Sequence, residues 1–203
     1  AQAWIGLHHQ AVRRSQRLGC GYRALHGAGI DDRRRKLGEA VRQLRHLLTA
    51  LDEDVGRERL AARVRRPLMG LKVAAHYGCH ALRPGDVTQF DNPLAPTVFE
   101  RVVAVTGAQS VEWPLRLDCC GQPLWEKNNP LALALMRRKL ADAHEAGAQV
   151  MVTACTYCQL QLDGVRREYP APAEAGADLP VVLVSQMLAV AFGLPGFGME
   201  GVV

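Results

Sequence analysis

Aromatic residues are scarce in this 203-residue chain: four Phe, four Tyr and three Trp, 5% of the total. The basic side chains of the N-terminal part alternate with Leu and Val, not with rings, which excludes a base-stacking platform for single-stranded nucleic acid. Long apolar runs are also missing. No stretch approaches the roughly 20 uninterrupted apolar residues that a membrane helix needs. No strand runs into a glycine-rich dinucleotide-binding turn, so a flavin or nicotinamide must come from a partner. Arg13, Arg14 and Arg17 follow no apolar segment, so a secretory signal is not expected. The chain opens at Ala1 in mid-pattern, and a processed or truncated form is expected.

Charge is unevenly spread. Residues 1–70 hold 15 Lys and Arg against 7 Asp and Glu, whereas residues 71–203 hold 10 against 13. The basic part reads as a solvated helical face or a surface for an acidic partner rather than a nucleic-acid site.

Cysteine carries the chemistry. Five of the six cysteines form an ordered series: Cys79, the pair Cys119-Cys120 followed by Gly121, then Cys155-Thr156-Tyr157-Cys158. Thirty-nine residues separate Cys79 from Cys119, and 34 separate Cys120 from Cys155. Adjacent cysteines and a C-x-x-C in a chain without a visible secretion signal suit metal binding in a reducing cytoplasm better than disulfides. Thiolates select Zn, Cu(I) or iron–sulfur clusters. Neighbouring side chains diverge, so Cys119 and Cys120 reach two irons of one cluster more readily than one compact ion. Five thiolates also exceed the four of a structural zinc site. An iron–sulfur cluster is therefore the preferred reading, with zinc as the alternative.

The pattern around these residues is that of an α/β domain. Residues 33–50 read as an amphipathic helix, with a second helix near 56–64 and a break at Pro67 and Gly70. Residues 71–76 read as a buried strand running into Gly78-Cys79, followed by a loop rich in Pro and Asp. A helix is expected from Pro96 to about Gly107, then a short strand at 110–113 and the Cys119-Cys120-Gly121 loop. Asn129 is expected to cap a helix that has Pro130 at its first position and ends near Gly147. A strand at 149–153 feeds Cys155, from which a helix runs to about Tyr169. A last strand at 181–184 meets a short helix capped by Ser185. This alternation implies a mainly parallel sheet with three cysteine groups just past the carboxyl ends of successive strands. The expected domains are a mostly helical 1–70 and an α/β 71–203.

The series Cys79…Cys119-Cys120-Gly121…Cys155-x-x-Cys158 resembles the cysteine-rich CCG domain of the heterodisulfide reductase B subunit and its relatives. These include sulfur-oxidising proteins, electron carriers of sulfite reduction and iron–sulfur subunits of lactate and glycolate oxidation. Tyr77-Gly78-Cys79 followed by Arg83-Pro84 agrees with the resemblance, which covers about 71–195. It implies one noncubane [4Fe-4S] cluster per chain, ligated by Cys79, Cys119, Cys120, Cys155 and Cys158; some members carry a different iron–sulfur or zinc centre. It further implies an oxidoreductase acting on a thiol, a disulfide or a carrier-bound sulfur species. The implied partners are a ferredoxin-type iron–sulfur subunit, an FAD-containing subunit and a sulfur-carrier protein. The alternative is an electron-relay or assembly subunit without substrate chemistry of its own.

Subunits of this kind usually carry two such domains, and residues 1–70 look like the tail of a degenerate first repeat. Aligning Cys20 with Cys158 puts Arg17 where Cys155 would be. His46-Leu47-Leu48 follows Cys20 at nearly the offset at which Gln186-Met187-Leu188 follows Cys158. Arg17 cannot ligate iron, so a cluster is expected only in the second repeat. The two-cluster disulfide chemistry of the family then lacks its partner site. Cys20 and His80 are the candidate catalytic residues. His76, His80 and His46 are candidates for hydrogen bonds to cluster sulfur or substrate. Trp113 and Trp125 bracket the Cys119-Cys120 loop and are expected to keep water out. Lys127 and Arg83 are candidates to balance charge.

Overall fold

The chain was analysed as a computed structural model that describes residues 46–170, 176, 178–195 and 199. Arg17, Cys20 and most of the basic N-terminal part lie outside the described residues, and with them the comparison of the two repeats.

Four parallel strands form the central sheet: β1 (Lys72–His76), β2 (Gln109–Ser110), β3 (Val150–Thr153) and β4 (Val181–Leu183). Their order is β2-β1-β3-β4. β1 pairs with β3 from Val73–Val150 through His76–Thr153. β1 and β3 are nearly continuous runs of Val, Ala and Met buried on both faces, as expected when helices cover both sides of a sheet.

The helices fall on opposite faces. α1 (Leu47–Thr49) passes through a π-helical stretch (Ala50–Gly56), and α2 (Arg57–Ala61) follows. Gly56 has φ +85° and marks the bend where a second helix was expected. After β1 come α3 (Cys79–Leu82) and α4 (Gly85–Thr88), short helices where a plain loop was expected. α5 (Val98–Val105) crosses to β2. Its Phe99, Val102 and Val103 pack with Leu48, Val73, Ala75 and Val152. α6 (Asn129–Glu145) leads back to β3, and its Met136, Leu140 and Ala143 pack with Ala74 and Met151 on the other face. α7 (Thr156–Gln159), a π-helical stretch (Leu160–Val165) and α8 (Arg166–Glu168) follow β3. α9 (Val184–Ala191) follows β4 and returns to the α5 face through Met187, Leu188 and Val190. Each fully buried Val, Leu or Phe contributes about 1.5–3 kcal/mol, so the two layers are the main source of stability.

Three helix starts differ from expectation. α5 starts at Val98 rather than Pro96, where Asp91 accepts from the Thr97 and Val98 amides at 2.7 and 2.8 Å. Asn128 rather than Asn129 caps α6, accepting from the Leu131 amide at 3.2 Å. At α9 the Gln186 side chain accepts from the Leu183 amide at 2.7 Å, and Ser185 lies inside the helix. Strand β2 is two residues long, although the Val111 amide still bonds to the Val73 carbonyl at 2.8 Å.

The chain leaves β1 toward β2 on one side and returns to β3 on the other. The crevice beyond the carboxyl ends of β1 and β3 is thus a topological switch point, where open α/β sheets hold their ligands.

Candidate metal centre

Three turns bring five thiols to that crevice. Beyond β1, Tyr77-Gly78 leads directly into Cys79, the first residue of α3. Gly78 has φ +80°, and a Cβ there would lie 3.0 Å from Cys155 Cβ and 3.6 Å from Cys158 Sγ. The first and third turns therefore touch through a position only glycine fills without strain. Beyond β3, Cys155 caps α7, with its amide donating to Thr153 Oγ1 at 3.2 Å, and Cys158 is buried one turn further on. In the middle turn Gly121 has φ +93° and donates its amide to Cys119 Sγ at 3.4 Å.

The adjacent cysteines diverge. Cys119 faces Cys79, whereas the buried Cys120 faces Cys158 and His76. All five thiols are free.

The electrostatics suit a cation. Burial and the neighbouring Cys119 and Cys120 push the Cys79 thiol up. Contact with Cys158 holds Cys120 and Cys155 well below the ordinary thiol range, and contact with those two pushes the Cys158 thiol up. A bound metal would take the place of thiol protons here, since ligating cysteines must be thiolates.

A buried cation stands behind the sulfurs. Lys139 on α6 is 1% exposed; its ammonium donates to the Leu115 carbonyl and sits 4.8 Å over the Trp113 ring. Burial lowers its pKa to about 8 against the pull of Asp118, Cys120, Cys158 and Cys119. Sequence reasoning missed it. Its signal was spacing, because Lys139 falls among Ala132, Met136, Leu140 and Ala143 on the buried stripe of α6.

The same segment is held from several sides. The 3-10 turn Pro114–Leu117 runs from β2 toward Cys119. Asp142 accepts from the Leu115 amide at 2.9 Å, Lys139 holds the Leu115 carbonyl, and His76 Nδ1 lies 3.3 Å from the Arg116 carbonyl. Arg116 is itself paired with Glu100 at 2.9 Å. Short as it is, β2 therefore delivers the cysteine pair through backbone contacts fixed by α6 and β1.

The other candidates separate. His76 is buried beside Cys120 and Cys158. His80 is exposed on α3, adjacent to Cys79. His46 caps α1 through a 3.3 Å contact with the Leu48 amide and packs against Phe90, so it is accounted for as a helix cap. Trp113 is buried, while Trp125 is half-buried and packs edge-on against Tyr169 at 5.3 Å. Lys127 and Arg83 are exposed. A buried amide that sequence reasoning also missed, Gln161, follows Cys158 by three residues, with neither end hydrogen-bonded.

Five soft sulfur donors, a buried cation and a buried imidazole with an unpartnered nitrogen fit an anionic thiolate-bound metal or cluster. Comparison with known proteins agrees. Residues 73–163 match the model of the CCG cysteine-rich domain. The chain is 34% identical over 157 residues to the 8-methylmenaquinol:fumarate reductase membrane anchor subunit of Wolinella succinogenes, covering 77% of this chain and 55% of that protein. It is 35% identical over 155 residues to the B subunit of the ferredoxin/F(420)H(2)-dependent CoB-CoM heterodisulfide reductase of Methanosarcina acetivorans, covering 74% and 51%. A protein of Archaeoglobus profundus described as similar to the heterodisulfide reductase B subunit is 28% identical over 159 residues, covering 76% and 53%. The chain thus spans about half the length of the relatives it matches. Residues 73–163 thus match a cysteine-rich CCG domain, and the chain is similar to the heterodisulfide reductase B subunit and its relatives.

Proposed function

We propose that the chain is an iron–sulfur redox subunit of a heterodisulfide-reductase-like complex, its centre a noncubane [4Fe-4S] cluster held by Cys79, Cys119, Cys120, Cys155 and Cys158. The observation that carries this reading is the convergence of five free thiols from three strand ends at the switch point of a parallel sheet. Once bound, such a cluster supplies one-electron transfer.

The chain's own residues have separable roles in this reading. Cys158, whose thiol is pushed up by its contacts with Cys120 and Cys155, would lose its proton on metal loading. Lys139 offsets the negative charge of the thiolates from the buried side, and Trp113 keeps water from that side. His80, exposed beside Cys79, delivers a proton to a thiolate product. Cleaving a disulfide to two thiols takes two electrons and two protons. A single centre must therefore act twice or work with a second centre on a partner. In this reading residues 1–70 are the remnant of a first repeat, Cys20 is its substrate-facing thiol, and a ferredoxin-type subunit, an FAD-containing subunit and a sulfur carrier are the partners. A thiol-based centre of this kind belongs in a reducing compartment, and we assign the protein to the cytoplasm. Among the described residues no helix is long and apolar enough to cross a membrane.

A relay reading without substrate chemistry is favoured by the likeness to a membrane anchor subunit of a fumarate reductase. Anaerobic purification followed by iron, sulfide and zinc analysis and EPR of the thiol-treated oxidised protein tests the main proposal. Iron and sulfide should be present and should be lost in Cys119→Ser and Cys158→Ser. Zinc without sulfide would overturn the cluster assignment. Disulfide reduction by the isolated chain separates catalysis from relay.

A further inference from the structure

The imidazole of His76 is placed differently from a hydrogen-bond donor to sulfur. Its Nδ1 lies 3.3 Å from the Arg116 carbonyl oxygen. A carbonyl oxygen only accepts, so Nδ1 carries the hydrogen and the neutral ring turns a bare lone pair outward at Nε2. Nε2 is buried and faces the Cys120 sulfur without a hydrogen bond of ordinary geometry. The whole residue is 1% exposed, so no solvent pairs that lone pair. An unprotonated Nε2 cannot donate to a sulfur. It can only receive a proton or bind a metal.

Nε2 and the sulfurs of Cys120 and Cys158 all lie within 4.8 Å of one another, and all three residues are buried. Donors on one tetrahedral ion sit roughly 3.3–3.8 Å apart, given metal–nitrogen and metal–sulfur bonds of about 2.0 and 2.3 Å. Small side-chain movements therefore close the trio on an ion. The ring is already oriented as metal-bound imidazoles are, with its other N–H on a backbone carbonyl. β1 fixes the backbone beneath it through the His76–Thr153 pairing.

We propose that His76, Cys120 and Cys158 form a mixed nitrogen–sulfur metal site, with His76 Nε2 as a sixth protein donor beside the five cysteine sulfurs. The ligand class is a borderline or soft cation: Zn²⁺ or Co²⁺ as single ions, or an iron of the cluster. The proposal deepens the iron–sulfur reading without depending on which metal is loaded. A neutral imidazole adds a donor to the centre without adding negative charge.

Cobalt(II) alone is the first probe, added anaerobically to the full-length metal-free protein. The wild type should develop thiolate-to-cobalt charge-transfer and tetrahedral ligand-field bands. In protein labelled with ¹⁵N-histidine, pulsed EPR of the bound cobalt should show one directly bonded histidine nitrogen. His76→Leu should abolish that nitrogen coupling and weaken cobalt binding by about tenfold or more. Cys120→Ser and Cys158→Ser should weaken binding similarly, while Asp91→Ala, at the start of α5 and outside the metal centre, should leave it within about twofold. Equal cobalt affinity in His76→Leu, or a wild-type complex without directly bonded histidine nitrogen, overturns the proposal. The wild-type spectrum decides the question even if His76→Leu fails to fold. Loss of the iron–sulfur reading has a different signature: absence of iron and sulfide from the purified protein, with the cobalt result intact.

Discussion

Gly121→Ala gives the sharpest test of how the cysteine pair is held, because a second glycine serves as its internal control. Gly121 has φ +93° and Gly147 has φ +83°, so alanine at either position is placed in left-handed backbone. That strain is about 1–2 kcal/mol, partly offset by about 0.4–1 kcal/mol from a less flexible unfolded chain. At Gly147 nothing lies within 4 Å of the added methyl, so Gly147→Ala should cost about 1 kcal/mol in all. At Gly121 the methyl would lie 2.6 Å from the Ala132 carbonyl oxygen and 3.2 Å from its Cα. These are backbone atoms in the first turns of α6, which cannot swing aside as a side chain can. Overpacking of this kind adds about 1–3 kcal/mol, which puts Gly121→Ala at about 2–4 kcal/mol. Urea denaturation of the metal-free proteins, followed by circular dichroism under anaerobic conditions, measures both. The two variants should differ by at least about 1 kcal/mol, and only Gly121→Ala should also lose iron, since the clash displaces Cys119 and Cys120. Equal stabilities would refute the claim that this turn is seated against α6.

Further outcomes follow from individual side chains. Lys139→Met should lower the midpoint potential of the bound cluster, measured by EPR-monitored redox titration, because the lost cation stabilised the more negative reduced state. In the metal-free protein the same substitution changes the pH profile. The folded pKa of about 8 lies below the unfolded 10.5, so the unfolded chain binds more protons between those values. Wild-type stability should therefore gain roughly 3 kcal/mol relative to Lys139→Met as pH rises from about 8 to 10.5, and denaturation at a series of pH values reads the slope. Asp91→Ala removes the acceptor for two amides at the start of α5 and should cost about 0.5–2 kcal/mol by urea denaturation, with iron content unchanged. His80→Gln should slow disulfide turnover by the assembled complex while leaving iron and sulfide content intact.

The alternation of apolar strand runs with helical stripes was legible because β1 and β3 are buried on both faces and read as unbroken Val, Ala and Met. So was the placement of Cys79 and Cys155, each only a few residues past a strand end. Helix starts were harder. Asp91 reaches its cap from six and seven residues upstream, and Gln186 caps from inside its own helix, so neither matches a local cap signature. Side chains that act through tertiary contacts were hidden for a similar reason. The spacing of Lys139 put it on the buried stripe of α6, but its place over Trp113 depends on how α6 packs. The role of His76 depends on a carbonyl 40 residues away.

The order of the strands also bears on how such a protein can change over evolutionary time. Cys79 and Cys155 are far apart in sequence, yet they stand at the ends of two hydrogen-bonded strands, whose spacing is set by the backbone at about 4.8 Å. The distance between those sulfurs is therefore indifferent to the length of everything threaded between β1 and β3. Segments can be inserted into or removed from the connections away from α6 and the Pro114–Leu117 turn, and whole flanking repeats can be reshaped, while the metal-binding geometry is passed on unaltered.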